Sequence, residues 1–250
     1  MTCYYNDSEP FVCAWLRNLI AAGLLPAGDV DERPIQEVMP DDVRRYTQAH
    51  FFAGIGGWAY ALQLAGWGDR PVWTGSCPCQ PLSGAGLGLA HADQRHVWPA
   101  FYRLIEECRP PVVFGEQVAK KLGLEWFAGV RADLEAARYA CGAVDLCAAS
   151  VGAPHIRQRL FWVADANSAG WQDAARWTGQ AGPPGRLLIA AQAPEAGLRE
   201  WAPQPATGWV VDGLPYVPHA VRGYGNAVVP QVAAAFVSAY MECAPRGTEL

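Results

Sequence analysis

No block of lysine and arginine occurs anywhere in the chain, and the formal net charge is −5. A general basic coat for nucleic acid is therefore absent, and any polyanionic partner has to be met by a local cleft. No stretch reaches the roughly 18 apolar residues of a membrane span. The first residues, Met1 to Asp7, lack the basic-then-apolar pattern of a secretion signal. None of the eight cysteines (Cys3, Cys13, Cys77, Cys79, Cys108, Cys141, Cys147 and Cys243) sits in a Cys-x-x-Cys pair. Their spacing is too irregular, and the chain too long, for a disulfide scaffold. These absences lead to the expectation of a soluble, cytoplasmic protein with reduced thiols and no membrane partner. No internal repeat is visible.

What is present is a chain of 250 residues, 51% of them hydrophobic, enough for one sizeable domain with a small appendage. Apolar runs of strand length alternate with helical patterns, which predicts α/β layering. Helices are expected over Pro10 to Ala22, Trp58 to Ala65, Pro99 to Cys108 and Leu124 to Tyr139, with proline near the start or glycine after the end of several. Strands are expected at His50 to Ala53, Val72 to Ser76 and Val112 to Phe114, and as a later pair at Val144 to Ala148 and Leu160 to Ala164. From Asn167 to Thr207 the sequence is rich in Gly, Pro, Ala, Gln and Trp with weak periodicity, as in a loop-rich insert. Order returns from Gly223 to Tyr240. The expected division is 1–165 for the main domain, 166–221 for the insert and 222–250 for a segment returning to the main domain.

Three segments carry chemistry. The strand ending at Gly75 runs into Ser76-Cys77-Pro78-Cys79-Gln80-Pro81, which can hold a thiol rigidly at the C-terminal edge of a parallel sheet, where ligands of α/β folds bind. Thiolate is a strong nucleophile for covalent addition. Alone, the Cys-Pro-Cys run reads as small core residues or half of a metal site. Glu116, at the end of the next apolar strand, changes that balance, because adjacent strand ends put Cys79 and Glu116 at one crevice. A thiol beside a half-buried carboxylate suits addition to a pyrimidine ring. The third segment, Phe51 to Gly57, is a glycine turn between strand and helix that lets backbone approach a ligand. It lacks the Lys-Ser/Thr of a phosphate loop.

Together these segments resemble the DNA cytosine-5 methyltransferases. Phe52-Ala53-Gly54-Ile55-Gly56-Gly57 is similar to that family's first motif, which cradles the methionine part of S-adenosylmethionine. Pro78-Cys79-Gln80 is similar to its catalytic Pro-Cys-Gln, and Glu116-Gln117-Val118 to its Glu-Asn-Val. His155-Ile156-Arg157-Gln158-Arg159 resembles Gln-x-Arg-x-Arg, and Gly225-Asn226-Ala227-Val228 resembles Gly-Asn-x-Val. All five occur in family order. The resemblance implies a Rossmann-like S-adenosylmethionine-dependent methyltransferase sheet with a short, loop-rich recognition region. It implies Cys79 as nucleophile, Glu116 as the group bonded to the cytosine ring, and Arg157 and Arg159 as charge-neutralising partners. The cofactor would be held by Phe52, Ala53, Gly54, Ile55, Gly56, Gly57, Pro78, Asn226 and Val228. The implied substrate is double-stranded DNA, touched by Gln80, Ser83, Arg95, Arg186 and Trp209. The implied form is a monomer, with room for a protein partner, in a prokaryotic or phage-infected cell.

The sequence departs from the family pattern in Gln117 for Asn and His155 for Gln, and in a short stretch between Arg159 and Gly225. The ribose- and adenine-binding segments do not fit between Gly57 and Cys79, since two strand–helix units need more chain. They are expected ahead of the glycine turn, with Asp7 matching the ribose acid and Asp29 the adenine acid; the alternative is an unrelated cap over residues 1–48. If strand order is kept, the helix after Gly57 joins neighbouring strands; a right-handed crossover, the dominant kind, puts it on the other face of the sheet, and the sequence alone leaves the face open. Three other functions compete: a catalytically inert DNA-binding relative, an enzyme acting on free pyrimidine nucleotides, and a zinc-binding protein using Cys77 and Cys79.

Overall fold

The computed structural model of the chain describes residues 2–78, 97–153, 155–167 and 227–244. Seven strands form one sheet: β1 (Cys3–Asn6), β2 (Gly28–Asp31), β3 (Gln48–Phe51), β4 (Val72–Gly75), β5 (Val112–Val118), β6 (Ala140–Cys147) and β7 (Gln158–Asp165). Their order across the sheet is β2-β1-β3-β4-β5-β7-β6. The first five strands are parallel to one another, and β7 runs antiparallel to both β5 and β6. The helices are α1 (Pro10–Ala21), α2 (Pro40–Val43), α3 (Gly57–Leu64), α4 (Trp98–Cys108), α5 (Lys121–Ala136) and α6 (Pro230–Cys243).

Local chemistry fixes several boundaries. Pro10 occupies the first turn of α1, where its missing N–H costs nothing. Gly23 follows the helix at φ +70°, a conformation that side chains other than glycine resist. Glycine turns of this kind also close α3, at Gly66. β5 extends further than its apolar run, through Glu116 and Gln117 to Val118, because it pairs along its whole length with β7 (Val112↔Asp165 to Val118↔Arg159). Glu116 is therefore a residue within a strand and not a solvated strand end.

The sheet is buried on both faces. Tyr4, Phe51, Trp73, Val113 and Trp162 point to one face, against α2, α4 and α5. On the other, Val72, Phe114, Phe161 and Val163 pack under α3 and α6, and Tyr5 packs with α1 and α3. Trp58 of α3 stacks on Phe114 at 6.0 Å between ring centroids. The Tyr240 hydroxyl of α6 donates to the buried Asp165 carboxylate at 2.8 Å, tying the last helix to β7. Among the described residues, no helix is long and apolar enough to cross a membrane.

Residues 2–48 are not a separate cap. They supply the two outermost strands at one end of the sheet, with β1 paired in register to β3 (Cys3↔Gln48 through Asn6↔Phe51). The connections β1–α1–β2, β2–α2–β3 and β4–α4–β5 all have one hand, since they step in opposite directions on opposite faces. The connection β3–α3–β4 steps in the same direction as β4–α4–β5 but uses the α1 face, so its hand is reversed. The helix has thus stayed on the face of α1 and α6 against the handedness preference. Its contacts with α6 and the packing of Gly56 against Leu16 and Leu25 hold it there.

Candidate active site

The C-terminal edge of the parallel strands carries a cavity of about 410 Å³. Each wall comes from a different strand end. Asp7 follows β1, Phe52 to Ile55 and Gly57 follow β3, Ser76 to Pro78 follow β4, and Glu116 to Val118 end β5. Because β7 is antiparallel, its first residues reach the same edge and bring Arg159, with Arg157 just before it. Ala227 and Val228, ahead of α6, complete the wall.

The glycine turn is shaped from both sides. Phe52 (φ 50°), Gly54 (φ 54°) and Gly56 (φ 81°) are left-handed, and Gly56 is the N-cap of α3. Asp7 secures the turn: its Oδ2 accepts the Gly54 N–H at 2.9 Å, and its Oδ1 accepts the Glu9 N–H at 3.0 Å. Burial pushes the Asp7 carboxyl above its usual range, against the lowering effect of those N–H donors. Gly57 has no room for a side chain, because a Cβ there would lie 2.6 Å from Val228 Cγ1. Val228 and the glycine turn, read as two separate motifs, are therefore in direct contact.

Glu116 is only 7% exposed. Burial raises its carboxyl above the ordinary value, and Arg159 and then Arg157 oppose that shift. Arg159 Nε lies 2.7 Å from Glu116 Oε1 as an ion pair. Arg157 donates from Nη2 to the Ala227 carbonyl at 2.9 Å, which links the arginine motif to the segment before α6. Burial lowers the Arg157 guanidinium from its usual value. Gln117 takes up its extra methylene by folding back. Its Nε2 donates to the Cys77 carbonyl at 3.3 Å, and its Oε1 accepts its neighbour Val118 N–H at 2.9 Å. The side chain thereby fastens β5 to the segment that leads into Pro78 and Cys79.

Cys77 is buried, and burial drives its thiol far above the usual value. It behaves as a small core residue and not as a thiolate. Asp29 is not brought to the cavity. Its carboxylate is engaged by the Tyr46 hydroxyl and, at 3.3 Å, by Arg45. The acid at the C-terminal end of β2 is Asp31, opposite Asn6, where it accepts from the Tyr4 hydroxyl at 2.7 Å and pairs with Arg33. Cys79, Gln80, Ser83, Arg95, Arg186, Trp209 and Asn226 lie outside the described residues. Sequence reasoning gave no role to four cavity residues: Glu9, Val12, Trp58 and Ser76. Glu9 had a visible signal, a carboxylate directly before the proline that opens α1. Trp58 and Ser76 form a pair, with Trp58 Nε1 donating to Ser76 Oγ at 2.9 Å.

The acid, the glycine turn and the carboxylate–arginine pair thus meet at the C-terminal edge of an open α/β sheet, the place where ligands of such folds bind. Residues 69–184 match the family model of the C-5 cytosine-specific DNA methylases. The type II methyltransferase M.AplI of Arthrospira platensis (strain NIES-39 / UTEX 3086 / IAM M-135) is 31% identical over 105 residues, 41% of this chain and 30% of the relative. The chain thus spans less than a third of that relative. Among solved structures, a mutant of Spodoptera frugiperda DNMT2 is similar with a TM-score of 0.44 and 16% identity, over 68% of this chain and 51% of that one. The S. pombe Dnmt2 methyltransferase is similar with a TM-score of 0.42 and 15% identity, over 75% of this chain and 58% of that one.

Proposed function

We infer that this chain transfers a methyl group from S-adenosylmethionine to carbon 5 of cytosine in DNA, through a covalent adduct with Cys79 on a base extruded from the duplex. The observation that carries this reading is the shared cavity. The peptide leading to Cys79, the buried Glu116 with its arginine partner, and the glycine turn all line it.

The cavity fits the donor. Its volume of about 410 Å³ suits a small organic ligand. The glycine turn offers backbone, and Asp7 and Glu9 at the α1 side offer carboxylates to the ribose hydroxyls. Phe52 to Gly57, Pro78, Val228 and, outside the described residues, Asn226 are assigned to the same ligand. Asp29 is assigned no contact, because Tyr46 and Arg45 engage its carboxylate at the other end of the strand. When bound, the donor supplies a sulfonium methyl group to an attacking carbon.

Cytosine carbon 5 is a weak nucleophile while the ring is aromatic. The Cys79 thiolate adds to carbon 6, forming a C–S bond and moving an electron pair toward carbon 5. Glu116, kept protonated more readily by burial, hydrogen-bonds or protonates ring nitrogen 3 as that charge moves. Carbon 5 would then take the methyl group as the donor's sulfur–methyl bond breaks, the bonding pair staying on sulfur so that the sulfonium leaves as a neutral thioether. The carbon 5 proton leaves to solvent base, the C–S bond breaks, and the thiolate is restored. Arg159 holds Glu116 in place, and Arg157 lies against the flipped nucleotide. Base extrusion is required because a stacked cytosine cannot reach a thiol in a cleft. The unstacking cost is met by contacts to the duplex, assigned to Gln80, Ser83, Arg95, Arg186 and Trp209. Residues 1–165 are assigned to catalysis and donor binding, 166–221 to target recognition and 222–250 to a segment returning to the main domain. The setting is that of a modification methyltransferase.

The test is a duplex carrying 5-fluorocytosine. Fluorine cannot leave carbon 5 as a cation, so a stable protein–DNA adduct should accumulate with S-adenosylmethionine present and should be absent in Cys79→Ala. An adduct formed by Cys79→Ala, or one formed with the free nucleotide but not with duplex, would overturn the reading.

A further inference from the structure

A second cavity, of about 800 Å³, lies beyond the catalytic pair. It shares Val118, Arg157, Arg159 and Val228 with the first, so one arginine-bearing wall separates the two spaces. Its remaining lining includes Lys120, His155, Ile156 and the start of α6 at Pro230 and Gln231. No carboxylate side chain lines it among the described residues, in a chain whose net charge is −5.

Lys120 is the informative residue. It is the N-cap of α5, with no side-chain capping bond, and the first turn of that helix carries no acid. A cation at a helix N-terminus meets the positive end of the dipole and costs about 0.3–1 kcal/mol. An N-cap is usually Ser, Thr, Asp or Asn. Lys120 is thus poorly placed for the helix and well placed for an anion over the cavity. Ile156, 83% exposed beside it in the arginine motif, offers an apolar contact of the kind a sugar face accepts.

We propose that this second cavity seats a phosphodiester flanking the extruded cytosine, with Lys120 as a DNA-binding residue. The inference rests on the function proposed above. A base held between Glu116 and Cys79 leaves its sugar and phosphate outside the first cavity, and the shared Arg157–Arg159 wall passes them to the second. Phosphate is the anion that fits a cation-lined space opening to solvent next to the base site.

The experiment measures affinity of the full chain for a cytosine-containing duplex as a function of salt, with S-adenosylhomocysteine present. Each phosphate contact contributes about −0.9 to the slope of log K against log salt. Lys120→Gln should shrink that slope by about 1 and weaken binding several-fold at low salt, with donor affinity unchanged and the melting temperature equal or slightly raised, since the unfavourable charge at the helix N-terminus is removed. Lys121→Gln is the control, since Lys121 pairs with Glu125 and does not line the cavity. A slope unchanged in Lys120→Gln, or changed equally in Lys121→Gln, would overturn the proposal. The fluorocytosine trap separates the two levels: wild type that forms the adduct while Lys120→Gln keeps the full slope loses only this inference, and wild type that forms none loses the methyl-transfer reading.

Discussion

Gly57→Ala is the sharpest probe of the donor site, because the structure states what the new methyl group meets. Its Cβ would lie 2.6 Å from Val228 Cγ1 and 3.1 Å from the Val228 carbonyl oxygen. Carbon–carbon contacts settle near about 3.5–4.0 Å, so Val228 and the glycine turn must separate by about 1 Å. Forced separation of this size costs about 1–3 kcal/mol. Both residues face the cavity, so the cost should appear as a dissociation constant for S-adenosylmethionine raised roughly five- to hundredfold, measured by calorimetry, with a lowered melting temperature. Val228→Ala removes the closer of the two contacts and leaves the carbonyl. The double variant should therefore recover part of the loss, with a coupling energy of about 0.5–3 kcal/mol. Effects that simply add, within about 0.5 kcal/mol, would refute the contact and with it the joining of these two segments into one cradle.

Asp7→Ala should weaken donor binding and loosen the glycine turn, since it removes the acceptor of the Gly54 N–H; equal donor affinity in calorimetric titration would remove Asp7 from the site. Burial holds the Asp7 and Glu116 carboxyls above their ordinary values. The folded protein then keeps protons that the unfolded chain has released, so stability falls as pH rises from the ordinary carboxylate range through the raised folded values. Melting curves from about pH 4 to about pH 7 should show that decline in wild type and a shallower one in Glu116→Gln; parallel curves would contradict it. Tyr240→Phe deletes the donor to buried Asp165 and should cost about 1–3 kcal/mol, or about 2–4 °C of melting temperature for each kcal/mol, without altering donor affinity.

The strongly punctuated parts of the fold were legible in the sequence. Pro10 and Gly23 bracket α1, and Gly66 closes α3, because those residues restrict backbone angles wherever they occur. Asp7, singled out in the sequence, lines the cavity at the end of β1. The length of β5 was not legible. Glu116 and Gln117 look like a strand end, and only pairing with a distant β7 carries the strand through them. The same tertiary partner extends the later strand pair to 140–147 and 158–165. Asp29 was assigned by its neighbours Gly28 and Val30. Asp31, two residues further along the same face, is the acid that the strand register places at the C-terminal end. The face taken by α3 was undetermined, because an amphipathic stripe does not say on which side of a sheet it packs.

The first strand pair joins the rest of the sheet along a single seam of four residues, β1 against β3. A short seam near a sheet margin is the natural place for local opening. Asp7 departs with β1 when it opens, while Gly54 remains with β3, so the site is split whenever the margin frays. A molecule bridging both sides acts as a staple on that seam, adding RT ln(1 + [L]/Kd) to the opening free energy. Occupancy should therefore slow amide exchange in 2–6 and 28–31 far more than in the central strands. The outer rim of this sheet reports whether the donor is bound.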